Sequence, residues 1–153
     1  MTLEEARIWL RAHLEDGARC FCCGQHAMIH RWTLYATAAR LLVRLYSLGG
    51  TEEFIESKPI KGKGQGDGTR LRYWGLAEEE KERRPDGGKS GFWRVLSYGE
   101  DFIFSRATIP QYVYIYDNTV LPYSPKRPMG VRKTISDVLK EPFHYGDHMH
   151  WSD

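Results

Sequence analysis

Residues 69–103, with the sequence TRLRYWGLAEEEKERRPDGGKSGFWRVLSYGEDFI, contain the pattern on which the predicted fold depends. A short helix is predicted to end at Trp74, because Gly75 follows it as a C-terminal glycine. Two strands are predicted at 76–82 and 90–96, and the Pro-Asp-Gly order between them favours a tight turn. The stretch is therefore predicted to begin as a helix followed by a β-hairpin.

The residues that follow predict a helix, a second hairpin and a short last helix. Ser97 and Glu100 have the spacing of a capping box, which predicts a helix to about residue 105. Over 112–116, tyrosines alternate with valine or isoleucine, a period typical of a half-buried strand. An Asp-Asn pair then favours a turn into a partner strand at 119–123. The short helix is predicted from apolar positions at Ile135, Val138 and Leu139.

Three helices are predicted on the N-terminal side. Thr2 and Glu5 form a capping box for a helix over 2–16. Leucines at helical spacing predict a second helix over 33–48, which two glycines should end. A short third helix is predicted from Thr51, with two glutamates in its first turn.

The element order from 33 to 104 is that of a winged helix-turn-helix: helix, short helix, loop, short helix, two strands with a turn, and helix. Residues 69–103 resemble the winged module of MarR- and PadR-like transcription regulators. The Gly-Leu pair at 75–76 and the Ser-Tyr-Gly-Glu run at 97–100 stand where that family has its Gly-Leu and Leu-Thr-x-x-Gly motifs. The whole chain also resembles a class of bacteriophage proteins that join a Cys-x-x-Cys-Gly start to such a module.

The resemblance implies an α+β fold and divides the 153 residues into three segments. An N-terminal helix and a Cys-rich turn are expected in 1–32, and the winged-helix-like module in 33–106. A β-hairpin, a short helix and a His-rich tail are expected in 107–153. The function implied is DNA binding as a regulator of transcription.

Local charge favours the same function. Residues 58–94 hold ten Lys or Arg against six Asp or Glu, whereas the whole chain has a net charge of only +2. This excess lies on a glycine-rich loop, the short helix and the hairpin, where a winged module would touch DNA. The short helix leaves little room for base readout, so binding is expected to depend on phosphate contacts. The predicted nucleic-acid or partner-binding residues are Lys61, Lys63, Arg70, Arg72, Tyr73, Arg83, Arg84 and Lys89.

A second hypothesis is a protein-binding inhibitor, such as a phage counter-defence or host-takeover factor. It would act by contact with a host complex that handles nucleic acid. The short helix and the acidic strand that contains Glu78 and Glu82 favour this alternative. An enzyme is not expected, because the chain lacks a P-loop, a dinucleotide fingerprint, a Gly-x-Ser-x-Gly and a His-Glu-x-x-His.

The three cysteines all lie within residues 20–23, so they cannot form a disulfide framework. Cys20 and Cys23 have Cys-x-x-Cys-Gly spacing, which places two thiols on one tight turn. His26 and His30 follow at a spacing that would complete a zinc site. The alternative is a metal-free turn that packs between helices.

The cysteine content favours a reducing compartment, and no apolar run approaches the length of a membrane span. A cytoplasmic protein is expected, in the host cytoplasm if a phage encodes it. The predicted partner is a DNA duplex or a host protein complex rather than a membrane, and a homodimer is left open.

Overall fold

The computed structural model describes residues 1–61, 68–82 and 85–146. Within these ranges the chain is α+β, as expected, with five helices and several small antiparallel sheets. The helices are α1 Leu3–His13, α2 Ala36–Gly49, α3 Thr69–Tyr73, α4 Ser97–Ile103 and α5 Ile135–Leu139. The strands are β1 Ala18–Arg19, β2 His26–Ala27, β3 His30–Thr33, β4 Ile55–Glu56, β5 Ala77–Glu79, β6 Phe92–Val95, β7 Ile109–Pro110, β8 Tyr112–Tyr116, β9 Thr119–Val120 and β10 Arg132–Lys133.

The chain divides into two compact units that interleave in sequence. The first unit contains Met1–Trp32 and Val113–Pro128, and the second contains Thr33–Tyr112 and Met129–Asp153. None of the helices in the described ranges has the length and apolar composition needed to cross a membrane.

In the first unit, α1 begins with the predicted capping box. The Glu5 N–H donates to the Thr2 hydroxyl at 3.1 Å, and the Thr2 N–H donates to the Glu5 carboxylate at 3.2 Å. The predicted tyrosine strand is also confirmed as β8, in which Val113 and Ile115 are buried and the tyrosines half-buried. Its Asp-Asn turn leads into β9, which lies at the edge of the sheet β3-β8-β9.

In the second unit, α2 contributes a fully buried face to the core. Its buried side chains include Leu41, Leu42, Val43 and Leu45, each no more than 1% exposed. The predicted hairpin is confirmed as β5 and β6, and β6 is the central strand of the antiparallel sheet β4-β6-β5. This strand packs against α2.

Two predictions about local structure are wrong. The helix expected from Thr51 is absent from this described segment, where a turn leads into β4. Ile55 pairs with Trp93 of β6 and packs on Gly49, so tertiary pairing outweighs the favourable glutamates. The capping box expected at Ser97 is also not formed, because α4 begins one residue earlier with Leu96 as its N-cap.

Candidate functional site

Helix α3 is short, and it is held by its apolar residues. Leu71 is fully buried, and Trp74, just past the helix, is 5% exposed. The Trp74 indole N–H donates to the Pro110 carbonyl at 2.8 Å. Gly75 then takes a φ of +73°, a conformation that favours glycine and ends the helix. The helix therefore has a fixed buried face and presents few side chains outward.

The three predicted binding residues on α3 differ in accessibility. Arg72 is exposed, with its guanidinium 5.1 Å from the centre of the Tyr73 ring. Arg70 is half-buried and donates to the Thr33 carbonyl at 3.4 Å. Its guanidinium lies 5.5 Å from the centre of the Tyr35 ring. Tyr73 is also predicted as a binding residue, but its side chain is 8% exposed and belongs to the core.

The negative charge of strand β5 is partly neutralised within the hairpin. Glu78 lies directly opposite Arg94 of β6, and the two side chains form an ion pair. The Arg94 guanidinium is also 4.5 Å from the centre of the Phe54 ring. The Glu79 carboxylate accepts a hydrogen bond from the Gly91 N–H at 3.2 Å. Two carboxylates that would repel a phosphate are thus engaged internally, an arrangement that the sequence did not indicate.

Two of the other predicted basic residues, Lys61 and Lys89, lie outside the helices and strands. Lys89 is exposed beyond the Pro-Asp-Gly turn, where the Gly88 N–H donates to the Asp86 carboxylate at 2.9 Å. Lys61 is half-buried, and its N–H donates to the Ser57 carbonyl at 2.9 Å. The remaining predicted residues, Lys63, Arg83 and Arg84, lie outside the described residues.

The cysteines form the loop of the β1–β2 hairpin. The Cys20 N–H donates to the Gln25 carbonyl at 2.8 Å, and the Gly24 N–H donates to the Cys20 carbonyl at 2.9 Å. Gly24 has a φ of +74°, so the turn requires the glycine of the motif. Arg19 braces the loop by donating to the Gly24 carbonyl at 3.0 Å.

A backbone N–H group of the same loop also approaches the Cys20 thiol. The Cys22 N–H lies 3.4 Å from Cys20 Sγ. The N–H groups of Cys23 and then Cys22 lower the pKa of the Cys20 thiol, because they stabilise the thiolate. Cys22 and Cys23 are exposed and Cys20 is half-buried. The turn therefore favours thiolate chemistry, either as a nucleophile or as a metal ligand.

The predicted zinc ligands border one cavity of about 440 Å³ in the first unit. Its lining includes Cys20, Cys23, His26 and His30, together with Asp117. No three side chains of ligand type are grouped to hold a metal within the described residues, however. The four-ligand zinc site stays a prediction. In the tail, His144 is exposed, and the histidines at 148 and 150 lie outside the described residues.

A second cavity, of about 470 Å³, lies in the second unit. Its lining combines apolar Leu34, Ile109 and Val138 with Lys133 and Lys140. These residues come from three distant segments, so no local sequence pattern could have indicated the cavity.

Comparison of the chain with protein-family models, with curated proteins and with solved structures found no match. Any assignment of function therefore depends on the residues and contacts described above.

Proposed function

We propose that the chain is a small phage-type winged-helix protein that binds duplex DNA as a regulator. The DNA-contacting surface consists of α3, the glycine-rich segment that precedes it in the sequence and the β5–β6 hairpin. The order of a short helix, a hairpin and a further helix supports this proposal, as does the positive charge of residues 58–94.

The internal neutralisation of β5 is the observation that carries the proposal. Four glutamates in 78–82 would otherwise offset four of the ten positive charges in residues 58–94. Because Glu78 pairs with Arg94 and Glu79 accepts from the Gly91 N–H, their negative charge is partly compensated. Arg72 and Lys89 remain exposed and available for phosphates.

The same surface favours contacts with the DNA backbone over base readout. A recognition helix reads bases through several polar side chains in the major groove. Helix α3 has five residues, Tyr73 is buried, and Arg70 is drawn toward Thr33 and Tyr35. Arg72 is thus the most accessible side chain of the helix. We infer that affinity depends mainly on phosphate contacts and varies little with DNA sequence.

Fluorescence anisotropy with a labelled duplex at several salt concentrations tests this function. Replacing Arg72 and Lys89 together with Ala should weaken binding similarly for all duplexes. If each residue contacts one phosphate, the slope of log K against log salt should fall by about 0.9 per residue lost. Lys126→Ala, which removes an exposed positive charge in the first unit, is the matched control and should leave the slope unchanged. Absence of salt-sensitive binding by the wild-type protein at low ionic strength would reject the proposal.

The second candidate function is binding to a protein. It is favoured by the small number of α3 side chains that could contact bases. An inhibitor of a host complex would use the same basic surface to compete for sites that normally hold nucleic acid. Cross-linking in a host lysate should then capture a nucleic-acid-handling complex with wild-type protein and with Lys126→Ala. Capture should be lost when Arg72 and Lys89 are both replaced with Ala. On this second function, neither the wild-type protein nor either variant should bind purified duplex DNA.

A further inference from the structure

We propose that Cys20 and Cys23 form half of a zinc site, which the same two residues of a second copy of this chain complete. Zinc in structural sites takes four ligands in a tetrahedral arrangement, and four cysteine thiolates are a common set. Each chain would supply two thiolates from the β1–β2 turn. This inference does not rest on DNA binding, and either proposal can fail without the other.

The turn holds the two cysteines in a form suited to sharing a metal. The register of β1 and β2 fixes both ends of the loop, with Ala18 opposite Ala27. The Gly24 N–H closes the loop onto the Cys20 carbonyl at 2.9 Å, and the Cys22 N–H approaches Cys20 Sγ at 3.4 Å. Hydrogen bonds to sulfur stabilise a metal-bound thiolate and orient it. These hydrogen bonds hold the backbone of the loop that carries both thiols.

The two imidazoles predicted from spacing are not grouped with these thiols as metal ligands within the described residues. His26 borders the same cavity as the two thiols, as the register partner of Arg19. His26 Nε2 lies only 2.9 Å from where a Cβ on Gly17 would stand, which places the ring over the base of the hairpin. His30 belongs to the next strand, β3, and the described residues include no group of three ligands arranged for a metal.

The tip of the hairpin is accessible to a second chain. Cys22 and Cys23 are exposed, and Phe21 between the thiols is 57% exposed. Phe21 packs on Trp9 at 4.6 Å between ring centres, so an apolar surface adjoins the thiols and can be covered when two tips meet. Four thiolates carry more charge than one zinc ion, and Arg19 beside the loop supplies compensating positive charge. A two-fold axis through the metal would relate the two copies.

The experiment uses the full chain without a His tag, reduced and stripped of metal. Zinc is added stepwise while metal content is measured by elemental analysis and mass by sedimentation. We expect about 0.5 zinc per chain, since four ligands are shared by two copies. The mass should double with zinc and return to that of a monomer with EDTA. This test needs no variant, so loss of folding in a mutant cannot obscure it.

Variants then identify the ligands. Cys20→Ser or Cys23→Ser should abolish zinc-dependent dimerisation, whereas Cys22→Ser, the matched control on the same loop, should retain it. His26→Ala, His30→Ala and a double His148→Ala/His150→Ala variant should also retain it. About one zinc on a monomer, lost in His26→Ala or His30→Ala, would overturn sharing in favour of a site within one chain. Zinc-independent mass, or binding unaffected by Cys20→Ser and Cys23→Ser, would overturn the site altogether.

Discussion

At the residue scale, two buried tryptophans of the second unit, Trp74 and Trp93, have different roles. Trp93 is 1% exposed, and its ring lies where a Cβ on Gly68 would approach within 2.5 Å. Its indole N–H is a buried donor that has no hydrogen-bond partner among the described residues. Trp74 instead donates to the Pro110 carbonyl. Trp93 thus contributes through packing, whereas Trp74 contributes through packing and one hydrogen bond.

This difference predicts the effect of substitution on stability. Trp93→Ala should lower the free energy of unfolding by about 3–5 kcal/mol, because it removes a core aromatic. Trp93→Phe should cost less than Trp74→Phe, since only the latter removes a hydrogen bond, the one to the half-buried Pro110 carbonyl, a loss of about 0.5–1.5 kcal/mol. Urea titration of the three variants measures these changes. A loss below about 1 kcal/mol for Trp93→Ala would contradict its place in the core.

At the element scale, two short helices begin in different ways. Helix α5 has a complete capping box, in which the Asp137 N–H donates to the Thr134 hydroxyl at 3.2 Å. In return, the Thr134 N–H donates to the Asp137 carboxylate at 2.9 Å. Helix α4 has Leu96 at its N-cap and no side-chain cap. Glu100, the expected partner of Ser97, instead accepts a hydrogen bond from the Tyr46 hydroxyl at 2.8 Å.

Substitution of the two hydroxyl residues should reveal this contrast. Thr134→Ala should destabilise the protein by about 1 kcal/mol, the usual cost of losing an N-cap. Ser97→Ala is the matched control and should be close to neutral, because Ser97 is exposed and makes no capping bond. Thermal and urea unfolding at neutral pH compare the two. An equal loss for both would mean that α4 is capped by Ser97 after all.

The same capping box predicts a dependence on pH. The Thr134 N–H, followed by the Thr134 hydroxyl, lowers the pKa of Asp137 in the folded protein. Because the pKa of Asp137 is lower in the folded protein, the ionised carboxylate stabilises the fold at pH values above the unfolded pKa, near 3.8. This stabilisation is lost as the pH falls through the pKa of the folded protein. Asp137→Asn should therefore flatten the acid limb of stability against pH. A limb that is unchanged in this variant would contradict the assignment.

At the scale of the whole molecule, the position of charge matters more than its sum. The net charge is +2, whereas residues 58–94 have a net charge of +4 from ten basic and six acidic residues. The remaining segments, 1–57 and 95–153, each hold six basic and seven acidic residues. A protein with this charge distribution should approach a polyanion with residues 58–94 facing it.

Arg83 and Arg84 test this asymmetry, since both belong to the basic region. Their joint replacement with Ala should weaken binding to every duplex alike and reduce the salt slope by up to about 1.8, if each contacts one phosphate. Arg7→Ala/Arg11→Ala, from the nearly neutral N-terminal segment, removes the same total charge and should change neither. Anisotropy measured over a salt series gives both slopes. Equal effects of the two double variants would show that total charge, rather than its position, controls binding.

Elements whose signals are local could be predicted from the sequence. The capping box at Thr2 and Glu5, the Pro-Asp-Gly turn and the alternation over 112–116 all specify structure within a few residues, and α1, the β5–β6 hairpin and β8 appear accordingly. The Cys-x-x-Cys-Gly spacing likewise determined that two thiols share one tight turn. Such features depend on backbone preferences and on hydrogen bonds between residues close in sequence, and both follow from the local residue types.

Contacts between distant segments were decided only by the tertiary structure. The segment at Ile55 is a strand because it pairs with Trp93, although its own glutamates favour a helix start. Tyr73 is buried in the core, although the five residues of α3 do not by themselves indicate which side chains pack inward. The charge of Glu78 is compensated because the hairpin register places Arg94 directly opposite. In each case the deciding partner is remote along the chain, and burial and pairing with that partner outweigh local propensity.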